Sequence, residues 1–388
     1  MNETRGSDPA VSCPTIDRAR RVDLLRSQLQ ESEDGAWLFT DLVDIRWLTG
    51  FGGSNGWVVL RGDELVIGTD GRYGERARTE SVGSGATVFA EQLRSRLHER
   101  LLEALRGASS VALDPAMTSH SEWSALAKEL DLLPLASPVK KARRIKDAAE
   151  LSRIEAAAGA ADAALLEVEP MLLGAGDAPI TEADVRNELE YRMRMHGADD
   201  RSYETIVATG PEHAARPHHE VSRRTIVDGD TVIVDVGALV DGYHSDMTRS
   251  YVIGEPTEQQ REIYALVEVS HRAGIDALRA GSTAKEIDSA CREVFDDAGY
   301  GDWFLHGTGH GVGLDIHEPP FHSQASDDLI EVGNVVTIEP GLYRGNFGGF
   351  RIEDLLVVTE QGSRVLTHTP QRPFPGHSQT TAPSDHPN

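Results

Sequence analysis

Cysteine is nearly absent from this sequence: 388 residues contain only Cys13 and Cys291. Two thiols so far apart build neither a disulfide framework nor a thiolate metal cluster. Free thiols suit a reducing compartment, so a cytoplasmic location is expected. Long apolar runs are missing as well. The segment Met1 to Arg21 is polar and mixed in charge, without the apolar stretch of a signal peptide, and no later stretch has the length needed to span a bilayer. Positive charge is scarce: 38 Lys and Arg stand against 63 Asp and Glu, a formal net charge of −25. That balance argues against a nucleic-acid backbone or an anionic membrane as the main partner. Most of the acids read as solubilising surface charge, and a minority as metal ligands.

Apolar residues make up 39% of the chain, enough for a core, and the length accommodates two ordinary domains. Residues 1–14 and 371–388 are rich in small and polar types and read as disordered tails. Between them, Arg18–Gln30 has helical spacing of Val22, Leu25 and Leu29. Ala36–Phe39, Gly56–Leu60, Leu65–Ile67 and Val111–Leu113 are short apolar runs that read as strands, with helices near Gln92–Arg106 and Ser121–Leu130. Strands alternating with helices predict an N-terminal α/β domain over residues 15–140. The basic, Pro-containing stretch Ser137–Asp147 reads as a linker, and a long Ala-rich helix begins near Ala148.

The second half carries a faint internal repeat. Residues 180–197 (ITEADVRNELEYRMRMHG) align without gaps on 282–299 (STAKEIDSACREVFDDAG). Each copy has an N-cap Thr (Thr181, Thr283), an acid three positions on (Asp184, Glu286) and a glycine near the end (Gly197, Gly299), which are helix start and stop signals. Each helix is followed by a β-rich stretch with two conspicuous acids, Asp235 and Asp246 in the first, Glu339 and Glu353 in the second. A duplicated helix-plus-sheet unit is expected.

Those acids sit in apolar surroundings. TVIVDVG (231–237) places Asp235 in a strand, and a second strand over Tyr243–Ile253 contains Asp246, with Asp241-Gly242 as the hairpin signal between them. A two-residue loop at Val240-Asp241 sets the two acids directly opposite each other. A loop at Asp241-Gly242 makes them diagonal neighbours on one face, and a three-residue loop breaks the parity. Val335–Ile338 runs into Glu339, and Phe350–Val358 puts Arg351 and Glu353 on one strand face. Carboxylates gathered in apolar strands must be neutralised by protons, by Arg or Lys, or by cations. His310, in the glycine-rich HGTGHGVGLDIHEPP (306–320), completes an oxygen-rich set suited to two divalent cations, Mn(II), Co(II) or Zn(II).

The blocks VDVGALVDGYHSDMTRS, HGTGHGVGLDIHEPP, TIEPGLY and RIEDLLVVT together resemble the metal-binding motifs of the aminopeptidase P and prolidase family. DIRWLTGFGGSNG (44–56), TDGRYGERA and VKKARRIKDAAELSRIEAA resemble its N-terminal half, so the likeness runs from about Arg18 to Pro370. It implies a creatinase-like N-terminal α/β domain followed by a pita-bread α+β catalytic domain (141–370) with an internal pseudo-twofold, in a homodimer. It also implies a ligand set. Asp235 holds one metal, Asp246 and Glu353 bridge both, and His310 and Glu339 hold the other. A bridging hydroxide is then the nucleophile, with Glu339 as proton carrier. His218, His317 and His306 match pocket histidines of the family, and Arg351 matches an arginine that supports the site. His219, His213 and His196 have no such support and read as surface residues. His219 also departs from the pattern, since a small residue usually follows the active-site histidine. The implied activity is removal of the N-terminal residue of a peptide whose second residue is proline. The alternatives are an Xaa-Pro dipeptidase, a hydrolase of a non-peptide amide, and a binding module without turnover.

Overall fold

A computed structural model describes residues 13–28, 35–175 and 179–374. The chain divides into two compact units, Thr15–Arg143 and a second formed by residues 144–388 together with the first fourteen.

The first unit is built on a six-stranded mixed sheet. Its elements are α1 (Arg18–Gln28), β1 (Gly35–Phe39), α2 (Leu42–Thr49), β2 (Gly56–Arg61), β3 (Glu64–Asp70), α3 (Gly74–Glu80), β4 (Thr87–Glu91), α4 (Arg94–Ala104), β5 (Ser110–Leu113), α5 (His120–Leu126), β6 (Leu132–Pro134) and α6 (Pro138–Arg143). The order is β4-β3-β2-β1-β5-β6, antiparallel at β1–β2–β3 and parallel at β3–β4 and β1–β5–β6. The core packs Leu97, Leu101 and Leu105 of the α4 region against Leu38, Val59 and Val111 of the strands. The stretch expected as a linker is α6: Val139 is fully buried, and Arg143 forms a buried ion pair with Asp44 at 2.9 Å. The basic residues that suggested a loop therefore include a core partner for an acid, and the unit extends to Arg143.

The second unit repeats a pattern of two helices over a sheet. Its first half holds α7 (Ala148–Leu173), α8 (Glu182–Met195), β7 (Asp200–Arg201), β8 (Ile206–Thr209), α9 (Gly210–His213), β9 (Thr231–Asp235), β10 (Ala238–Val240), β11 (Tyr243–His244) and β12 (Thr248–Val252). The second half holds α10 (Glu258–Ala277), α11 (Ala284–Asp297), β13 (Gly309–Gly311), β14 (Glu318–His322), β15 (Val335–Ile338), β16 (Gly341–Arg344), β17 (Gly348–Arg351), β18 (Asp354–Thr359) and β19 (Gly362–Val365). The sheets run β12-β9-β8 and β14-β13-β15-β18-β19, with smaller sheets β11-β10-β7 and β16-β17. Small side chains of α7 (Ala157, Ala161, Ala164) let it lie close to α8 and to Val207, Val232 and Val234 of the first sheet. Ile287 and Cys291 of α11 meet Val336, Ile338 and Leu356 of the second. Both repeat helices open with the capping boxes read from the sequence, Thr181–Asp184 and Thr283–Glu286.

The first residues expected to belong to the C-terminal tail, 371–374, pack on the second unit. The backbone N–H of Val252 donates to the Pro373 carbonyl at 2.7 Å, and Phe374 is buried against Tyr264. One aromatic ring after a polar run is enough to anchor these residues, which composition alone had grouped with the tail. The remainder of both tails, residues 1–12 and 375–388, lies outside the described residues. Among the described residues no helix is long and apolar enough to cross a membrane.

In each capping box the Thr hydroxyl accepts from the N3 backbone N–H at 3.2 Å. Thr181→Ala and Thr283→Ala should each lower stability by about 1 kcal/mol, and by about twice that together, because the sites are distant. Urea midpoints that leave the double variant at the parent value would show that these caps do not hold the repeat helices.

Candidate metal centre

The acids occupy the places where strands break. Asp235 ends β9, Asp246 lies between β11 and β12, Glu339 follows β15, and Glu353 lies between β17 and β18. The sequence reading made Tyr243–Ile253 and Phe350–Val358 continuous strands. In the structure each is interrupted at its acid, because the chain there passes from one sheet to the next: β17 pairs with β16, whereas β18 pairs with β15. The hairpin has its two-residue loop at Asp241-Gly242, both with positive φ (46° and 78°), and Val240 pairs with Tyr243. Asp235 then pairs with Thr248, so Asp246 is its diagonal neighbour. The glycines flanking His310 serve close strand packing: a Cβ on Gly309 would fall 2.1 Å from the Thr337 carbonyl, and one on Gly311 2.6 Å from that of Glu318. Only glycine lets β13 thread between β14 and β15 and so present His310.

The five residues converge. His310 Nε2 lies 3.5 Å from both Asp246 Oδ2 and Glu339 Oε1, and donor atoms of Asp246, His310 and Glu353 all lie within 4.8 Å of one another. His310 Nδ1 donates to the Gly311 carbonyl at 3.0 Å, which fixes the tautomer and leaves the Nε2 lone pair facing the acids. Thr248 Oγ1 donates to Glu353 Oε2 at 2.8 Å. The Tyr203 hydroxyl stands 2.5 Å from Asp235 Oδ1 and 2.5 Å from Asp246 Oδ1. It has one proton for two anions, so one carboxylate is left to another source of positive charge.

Burial raises the pKa of Asp246 and Glu353 well above the carboxylate range and that of Glu339 above its ordinary value, with neighbouring acids adding to the effect. Burial lowers the pKa of His310, so that its imidazole faces the acids in the neutral form. Four carboxylates, one oriented imidazole and one shared phenol proton form a donor set that fits divalent cations, and its oxygen-rich character fits Mn(II), Co(II) or Zn(II).

The other expected residues surround a cavity of about 490 Å³ lined by His218, His306, His317 and Arg351 together with the acids. The rings of His317 and His310 meet edge to face at 4.3 Å. His306 spends both nitrogens within the chain, Nδ1 on the Gly307 carbonyl at 2.7 Å and Nε2 on Tyr343 Oη at 2.9 Å. Arg351 donates to Asp235 Oδ2 at 2.6 Å, Thr248 Oγ1 at 3.0 Å, and Tyr343 Oη and the Pro217 carbonyl at 2.9 Å each. Two histidines taken for surface residues are not: His213 and His219 stack 4.0 Å apart against the buried carboxylate of Glu182. Of the three, His196 alone is exposed, beside Glu167. Tyr203 was missed because its segment has no periodicity and its partners lie 32 and 43 residues away.

Residues 152–360 match metallopeptidase family M24, and residues 21–145 match the creatinase/prolidase N-terminal domain. An architecture of this kind, with a cluster of acids and histidine at the centre of a duplicated sheet, defines a metal-dependent peptidase with the pita-bread fold. The chain belongs to the M24 metallopeptidases. It is 35% identical over 319 residues to an Xaa-Pro dipeptidase of Pyrococcus furiosus, covering 81% of this chain and 87% of the relative. It superposes with a TM-score of 0.85 on an Xaa-Pro dipeptidase from Bacillus anthracis, at 34% identity over 92% of this chain and 99% of the other. An X-Pro aminopeptidase from Thermotoga maritima superposes at 0.83, with 29% identity over 92% and 99%.

Because burial and the neighbouring acids raise the pKa of Asp246, Glu339 and Glu353, cation binding should expel protons and tighten as pH rises. Calorimetric titration of chelated protein with Mn(II), run in buffers of different ionisation enthalpy, measures the number released. Zero proton release near neutral pH would contradict this electrostatic picture.

Proposed function

We propose that the protein hydrolyses the bond between the N-terminal residue and a proline in second position, in peptides longer than two residues, with two divalent metal ions, Mn(II) foremost, held by Asp235, Asp246, His310, Glu339 and Glu353. The observation that carries this reading is the convergence of those five side chains at one cavity. When bound, the metals supply Lewis acidity for the scissile carbonyl and a nucleophile from water at neutral pH. Glu339, whose pKa is raised by burial, takes the proton of the attacking water and returns it to the departing proline nitrogen. His218 and His317 hydrogen-bond the developing oxyanion. Desolvation lowers the pKa of His317, so it does so as a neutral donor. Arg351 holds Asp235 in place while supporting the backbone at Pro217.

Proline in second position makes the scissile bond a tertiary amide without an N–H, which calls for a dedicated pocket. The charge lining favours longer peptides. A dipeptide brings its C-terminal carboxylate within one residue of the scissile bond. The cavity's one described Arg or Lys is Arg351, whose guanidinium is already spent on four partners. The names of solved relatives include both dipeptidase and aminopeptidase, so the dipeptidase is the second reading. A cytoplasmic location, suited to the free thiols of Cys13 and Cys291, and a homodimer complete the proposal.

With Mn(II) added, Ala-Pro-Ala should be cut after its first residue and Ala-Ala-Ala far more slowly. Hydrolysis of Ala-Pro alone would instead establish the dipeptidase, and hydrolysis of neither would overturn the proline-specific reading. His218→Ala should lose about 10²–10⁴-fold in kcat while elemental analysis still finds both metals. Parent-like kcat would remove His218 from the reaction.

A further inference from the structure

His218 reaches the cavity without help from its own side chain. Among the described residues its ring makes no hydrogen bond within the chain, so its placement must come from the backbone on either side. That backbone is held twice. On the metal side, the Arg351 guanidinium that binds Asp235 also donates to the Pro217 carbonyl at 2.9 Å. On the far side, the His219 ring turns away from the cavity, with Nε2 3.2 Å from Glu182 Oε2. Glu182, the first residue of α8, is fully buried. Its Oε1 accepts from the N–H and hydroxyl of Thr209 at 3.1 and 2.7 Å, and its Oε2 from the N–H and hydroxyl of Ser222 at 3.0 and 2.6 Å. One carboxylate thus ties together both ends of the segment 209–222 that carries His218. Burial raises its pKa, but hydrogen bonds from Ser222, His213 and Thr209 more than offset this and hold it to about 2, so it stays anionic.

We propose that Glu182 and His219 are positioning residues that fix His218 against the cavity: the carboxylate clamps the loop, and the His219 hydrogen bond sets which of the two adjacent histidines faces the substrate. His218 lines the cavity while the ring of its neighbour His219 is held at Glu182, so the contact that keeps His219 outward fixes the backbone that presents His218 inward. Donor atoms of Glu182, His213 and His219 lie within 4.8 Å of one another, close enough for a metal ion, but the cluster serves as a hydrogen-bonded clamp instead. Its carboxylate is already engaged by the N–H and hydroxyl groups of Thr209 and Ser222 as well as by the two imidazoles. The imidazoles are stacked, 4.0 Å between centroids and 24° between planes, and each turns a ring nitrogen to the same carboxylate, His213 Nδ1 at 2.8 Å and His219 Nε2 at 3.2 Å.

The proposal rests on the peptidase reading, and its test separates the two. In the metal-loaded enzyme, His219→Leu should lower kcat for Ala-Pro-Ala by about 10- to 100-fold, with KM and metal content unchanged. His219→Gln, whose amide N–H can reach the same carboxylate, should restore most of the loss. In a His218→Ala background, His219→Leu should cost nothing further, because the clamp acts through the missing ring. If His219→Leu does not accumulate as folded protein, Ser222→Ala removes another donor from the same carboxylate and takes its place with the same expectation. Losses that multiply in the double variant, a His219→Leu enzyme equal to the parent, or a stoichiometric third Zn(II) in the parent that His219→Leu abolishes would each overturn the proposal. Independently of turnover, the ring signal of His218 in histidine-labelled protein, assigned by its loss in His218→Ala, should shift in His219→Leu and return in His219→Gln. An unmoved signal overturns the positioning role even if no peptide is cleaved.

Discussion

Asp235, Asp246, Glu339 and Glu353 face one another inside the second unit with one arginine and one phenol proton among them. Carboxylates at this spacing do not all stay ionised without more positive charge, and each uncompensated one costs several kcal/mol to keep buried. The rest of the unit exists to hold this unfavourable gathering in place. Two helix pairs brace two sheets, and each half contributes acids to the seam. The stable elements carry the energetic cost of a site that would not assemble by itself.

The acids sit at strand breaks for a related reason. A residue inside a ladder points along a direction set by its neighbours, and the four acids held that way in two sheets would not meet. Where β9 ends and β11 gives way to β12, the backbone is released to turn its side chains inward, and the same happens between β17 and β18. Around them the hydrogen bonds run outward in chains. Asp235 is held by Arg351, Arg351 by Tyr343, and Tyr343 bonds His306. A second chain leads from Arg351 through the Pro217 carbonyl to the loop that carries His218. The site is therefore one polar network extending well beyond the atoms that would touch a cation.

What could be read from sequence was local or periodic. The two capping boxes need only four consecutive residues each, and the parity of Asp235 and Asp246 follows from the length of one turn. The five acid-and-histidine positions stood out because charge inside apolar runs is conspicuous. What could not be read depends on contacts across long stretches of chain. Tyr203 meets its two acids, Glu182 its loop and Asp44 its arginine at separations of 27 to 99 residues. His219 looked like an exposed neighbour of His218 because nothing nearby indicates Glu182. Phe374 was lost in a polar tail because one aromatic residue barely changes local composition. The interrupted strands were missed because the apolar pattern continues through Asp246 and Glu353 while the hydrogen bonding does not.

The central claim is that the gathered carboxylates are held together by cations. A crystal structure of the Mn(II)-loaded enzyme, with anomalous differences recorded at the manganese edge, tests it most directly. The account predicts two peaks per chain, both among Asp235, Asp246, His310, Glu339 and Glu353, with the Tyr203 hydroxyl bonded to one carboxylate and no longer shared between two. An active crystal form with no peak there, or with its peaks elsewhere in the chain, would contradict it.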